Sequence, residues 1–98
     1  MLRATSDVLE LRRWAEDRGA CPCRQEVTGR LSLAYPADCP ADTRQIGWDE
    51  FEPIFRLSRL VCIYDYAPAG VRFFVGSEVE ARRFVSDAEI AHGGMAFV

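Results

Sequence analysis

The chain has 98 residues, 49% of them apolar, with two Trp, six Phe and three Tyr. That length suits a single hydrophobic core, and that composition excludes a wholly disordered chain. Net charge is −3, from twelve basic and fifteen acidic residues. A dedicated nucleic-acid binder would carry a basic surplus instead.

All twelve basic residues are Arg, whose planar guanidinium suits carboxylates and phosphates. No run of eighteen apolar residues occurs, so no membrane span is expected. Residues 1–7 lack the long apolar stretch of a secretory signal. The expected compartment is therefore the cytoplasm, where thiols stay reduced.

The first expected element is a helix over residues 8–18. Asp7 can cap it, with Glu10 in the capping-box position. Val8, Leu11, Trp14 and Ala15 share one face, while Arg12, Arg13, Glu16 and Asp17 face water. Gly19 follows where a left-handed residue ends a helix. Residues 19–26 read as a loop, and 27–35 alternate as a half-exposed strand. Residues 36–45, with two prolines, form a surface connection.

A second helix is expected from about 47–48 to 57–58, with Trp48, Phe51, Ile54 and Phe55 on its apolar stripe. Pro53 is tolerable there if Asp49 is the cap and Pro53 falls in the first turn. Residues 60–66 are nearly all apolar, which predicts a central strand covered on both sides. Residues 67–70 turn the chain, and 71–75 return as a hairpin partner. Ser77 with Glu80 signals a third helix over 78–85, with a further helical turn possible over 87–91. The order is α-β-α-β-β-α: one α+β domain, with a small, largely antiparallel three-stranded sheet and helices on one face. Residues 77–98 form its C-terminal helical extension and tail.

Two segments carry a resemblance. Trp14-Ala15-Glu16-Asp17-Arg18-Gly19 resembles the W-A-E-x-R-G-G-x-P opening of a group of small bacterial proteins. Ile46-Gly47-Trp48-Asp49-Glu50-Phe51, followed by residues 60–64, resembles their I-S-W-D-E-F-F…L-x-x-x-Y centre. The match in order and spacing runs over residues 11–76. It departs at Ala20-Cys21-Pro22-Cys23, at Gly47 and at Pro53. The resemblance implies the same α/β order and transfers no functional residue. Many of those proteins carry a 1,4-alpha-glucan branching label, but that chemistry needs a large barrel with several acidic catalytic residues. Ninety-eight residues are too few for one.

Few residue patterns suggest chemistry. Cys21-Pro22-Cys23 and Cys39, with Cys62 or His92, can be set against a zinc site, though C-x-C is tighter than the usual C-x₂₋₄-C. A Cys21–Cys39 or Cys23–Cys39 disulfide is sterically open, although the expected compartment opposes it. His92 has no serine elbow to serve. Asp49, Glu50 and Glu52 suit a helix start better than an acid–base pair. No cofactor motif occurs, and catalysis is not expected.

The aromatic residues point elsewhere. Phe73 and Phe74 are adjacent on a strand and must face opposite sides, so one lies off the main core unless the C-terminal helix or the tail covers it. With Trp48 and Tyr66 they form a candidate contact surface for a protein partner or a second copy. The functional expectation is a non-catalytic interaction or regulatory module. The alternative is a thiol-redox or zinc protein using Cys21, Cys23 and Cys39.

Overall fold

The computed structural model describes residues 1–92, with side chains as far as Asp87. In chain order it contains β1 (Leu2–Thr5), α1 (Val8–Arg18), β2 (Cys21–Gln25), β3 (Leu31–Ala34), a 3-10 turn (Pro36–Asp38), β4 (Thr43–Gln45), α2 (Trp48–Leu57), β5 (Val61–Asp65), β6 (Phe73–Gly76) and α3 (Glu78–His92). The fold is α+β, with two antiparallel three-stranded sheets ordered β1-β5-β6 and β3-β2-β4.

β5 is the centre of the first sheet, and its alternating side chains feed two cores. Cys62 and Tyr64 pack with Leu11, Trp14, Ala15, Phe51 and Phe55 of α1 and α2. Ile63 faces the other way and packs with Leu2, Ala4, Ala81 and Val85. The period of two along a strand produces this division. Helices thus cover both faces of this sheet, not one as expected, because α3 returns beneath β5 and β6.

The second sheet is the larger departure. Residues 21–25 were expected to be loop, and they form its central strand. Pro22 is compatible with that position because its carbonyl accepts from Ile46 N at 2.9 Å. On that side of β2 the regular ladder with β4 begins at Cys23, so Pro22 stands at the ladder's end and its missing N–H forfeits only a terminal bond. The strand expected over 27–35 shortens to β3, and Val27, 88% exposed, stands in the hairpin turn. β1 and β4, of four and three residues, are too short to show a period in sequence.

Helix ends follow local chemistry with two exceptions. Asp7 caps α1 through Leu9 N at 2.9 Å, but Glu10 turns away from the capping box toward Tyr64. At α3 the box is complete: Glu80 Oε1 accepts from Ser77 N at 2.9 Å, and Ser77 Oγ accepts from Glu80 N at 3.2 Å. α2 starts at Trp48 behind Gly47, with no side-chain cap. Asp49 is therefore not the cap, and Pro53 lies past the first turn. The Asp49 carbonyl loses its helical donor there, and both residues are exposed, so water can hydrate it. α3 runs unbroken from Glu78 to His92. The expected apolar tail at 95–98 lies outside the described residues.

α1 and α2 close with the same hydrogen-bond pattern. Ala20 N donates to Ala15 O in one and Leu60 N to Phe55 O in the other. The left-handed residue is Gly19 in α1 (φ 74°) but Arg59 in α2 (φ 52°). A side chain in that region is strained. Arg59→Gly should therefore stabilise the fold by about 1 kcal/mol, read as a higher urea midpoint at unchanged slope. Pro53→Ala should also stabilise, by about 1–2 kcal/mol, since the restored helix bond outweighs the looser unfolded chain. Thermal and urea unfolding of the two single variants check both.

Candidate functional site

α1 presents two rows at four-residue spacing, Leu9-Arg13-Asp17 and Glu10-Trp14-Arg18, toward the end of β5. Together with Tyr64, Tyr66 and Asp7 these rows line an open groove. Trp14 forms its floor. The indole packs against Tyr64 at 5.5 Å and Phe73 at 6.4 Å between ring centroids. Its Nε1 donates to the Asp65 carbonyl at 2.7 Å.

The rim is held by polar contacts. Arg18 lies over the Trp14 ring, 5.2 Å from its centroid. Its Nε donates to Gly70 O at 3.0 Å and its Nη2 to Ala67 O at 2.8 Å. Asp65 accepts from Ala67 N at 3.1 Å and from the Met1 amino group at 2.8 Å. Burial works against its charged form, but these donors prevail and hold the carboxyl below its usual range. Gly70 is required at the far end, because a Cβ there would strike the Asp65 side chain. The turn that carries Tyr66 is thus fixed from three directions.

The ionisable groups here are structural in character. Tyr64 donates its hydroxyl to Glu10, which also pairs with Arg3 at 3.3 Å. Burial, then the Glu10 carboxylate, pushes the Tyr64 phenol up to about 12. It stays protonated at neutral pH and serves as a donor, not a base.

The four aromatic residues expected to form one contact surface are dispersed. Tyr66 is 47% exposed on the groove rim. Phe73 packs into the main core against Trp14 and Tyr35. Phe74 faces the other core and stacks on Phe84 of α3 at 5.1 Å, so the C-terminal helix covers it. Trp48 is half-buried, edge-on to Phe51. Leu9, 55% exposed beside Tyr66 in the groove, did not enter the sequence argument. Its signal was present: an apolar residue off the stripe of an amphipathic helix.

Three of the four cysteines lie on or beside the second sheet. Cys21 is half-buried, Cys23 buried and Cys39 exposed, all as free thiols. Among the described residues, no group of three or more His, Cys, Asp or Glu is arranged to hold a metal ion, so the zinc reading finds no support there. Burial first, then the neighbouring Cys39 and Cys21, pushes Cys23 up to about 11. Burial pushes Cys62, in the core, up to about 12.

A thiol with a pKa near 11 is about one part in a thousand thiolate at pH 8, and the thiolate is the reactive form. Iodoacetamide at pH 8 should therefore label Cys39 first in the native protein, leaving Cys23 and Cys62 unmodified until denaturant is added. Peptide mass mapping over time reads the order. Comparison of the chain with protein families, curated proteins and solved structures finds no match.

Proposed function

We propose that this chain is a non-catalytic protein-interaction module that binds through the groove between α1 and the end of β5, with a second copy of itself as partner. The observation that carries the reading is the pair Leu9 and Tyr66, 55% and 47% exposed, which line the groove together with Trp14. Covering the exposed half of each side chain is worth roughly 1 kcal/mol. An aromatic centre inside a charged rim is the usual anatomy of a protein contact.

Two further features support it. Arg18 and Asp65 already fix the Tyr66 turn, which lowers the ordering cost of association. The rim carries both signs, Arg13 and Arg18 against Asp7, Glu10 and Asp17. A two-fold contact can then set Arg13 against Asp17 of the second copy. The resemblance to small bacterial proteins belongs to the same proposal, through Trp14 and the segment around Trp48. So does a cytoplasmic home; no helix among the described residues is long and apolar enough to cross a membrane.

Sedimentation equilibrium over a micromolar-to-millimolar series tests the reading. The wild type should reach a dimer, and Leu9→Arg combined with Tyr66→Ala should stay monomeric. Both exchanged positions are exposed, so folding stability should move by no more than about 1 kcal/mol. A wild type that remains monomeric across the series rejects the proposal.

A further inference from the structure

The fold brings together two thiols that are well separated in sequence. Cys23 sits inside β2, between Ser32 of β3 and Gln45 of β4, so its position is fixed by ladders on both sides. Cys39 follows the 3-10 turn in a stretch, residues 36–42, that is exposed throughout. Its Sγ lies 3.6 Å from the carbonyl oxygen of Thr43. Thr43 in turn opposes Gln25 on β2, so the segment doubles back along the strand that carries Cys23. Cys39 is near enough to Cys23 to act on its thiol. Cys21, on the same side of β2, offers Cys23 its carbonyl at 3.4 Å.

We propose that Cys23 and Cys39 form a reversible disulfide when the protein meets a hydroperoxide, a staple that fastens residues 36–42 to the centre of the second sheet. Of the two pairings open in sequence, this is the one whose two thiols act on each other.

In the first step the Cys39 thiolate attacks the terminal peroxide oxygen. The O–O bond breaks, the alkoxide leaves and takes a proton, and Cys39 becomes a sulfenic acid. In the second, the Cys23 sulfur loses its proton and attacks the Cys39 sulfur. The S–O bond breaks and water leaves. Two thiols are oxidised, and one peroxide is reduced to an alcohol and water. The order follows from the surroundings: Cys39 meets solvent, whereas burial keeps Cys23 protonated. The exposed segment supplies the small movement needed to bring the sulfurs to bonding distance, about 2.05 Å. The bond encloses the β2–β3 hairpin and the 3-10 turn in one covalent ring, which restricts the unfolded chain.

The test treats reduced, desalted protein with one equivalent of hydrogen peroxide. Intact mass should fall by two hydrogens, and a non-reducing peptide map should join the Cys23 and Cys39 peptides. The unfolding midpoint should rise and return on adding dithiothreitol. Cys39→Ser should abolish the mass loss, and Cys62→Ser should leave it intact. Sulfinic or sulfonic acid at Cys39 with Cys23 still free, or a Cys21–Cys39 link instead, overturns the assignment.

Discussion

The constraint on which the structure depends is the two-sided burial of β5. A five-residue strand with Cys62 and Tyr64 on one face and Ile63 on the other must be covered above and below. α1 and α2 supply one cover, and α3 the other. Phe51 and Phe55, stacked at 5.4 Å, fill the space between α2 and the sheet. Their full burial is worth several kcal/mol, on the order of 1.5–3 each. The Phe73 and Phe74 pair repeats the logic one strand away, with one ring delivered to each core.

Trp14 connects that core to the surface. Its ring belongs to the main cluster, yet its N–H reaches the Asp65 carbonyl at the end of β5. Arg18, one helical turn on, stacks over the indole and takes two further carbonyls of the following turn. A buried indole with its donor satisfied is rigid, so the turn carrying Tyr66 is anchored to the core itself. The exposed aromatic therefore stands on a fixed turn and not on a loose loop.

The second sheet has a different character. It is short, its outer strand β4 is exposed and polar, and its link to the helices runs through Leu31, Leu33 and Ile46. Arg24 and Arg44 both reach Glu50 at the start of α2, at 3.6 and 3.1 Å. These are solvent-accessible pairs and add little, about 0–1 kcal/mol each. A sheet held so lightly at its outer edge is where a covalent link between strand and loop has the most to restrain. That is where three of the four cysteines lie.

The helices were legible because their signals are local. Asp7, Gly19, Ser77 and Glu80 act within one turn of the residues they cap, and the apolar stripe of α1 repeats every turn. The two-sided burial of residues 61–65 and the opposed faces of Phe73 and Phe74 were legible for the same reason, since strand alternation needs no knowledge of neighbours. Only the tertiary structure decided the rest. β2 is a strand because residues 31–34 and 43–45 flank it, and no period within five residues containing a proline announces that. Glu10 left its cap because Tyr64, far along the chain, offered a hydroxyl. Which apolar groups remain bare, Leu9 and Tyr66 among them while Phe74 and Trp48 are half-covered, depends on what every other element covers. Which thiols meet depends on a loop folding back on a strand. Capping and periodicity are properties of neighbouring residues, whereas exposure and long-range pairing are properties of the packed whole.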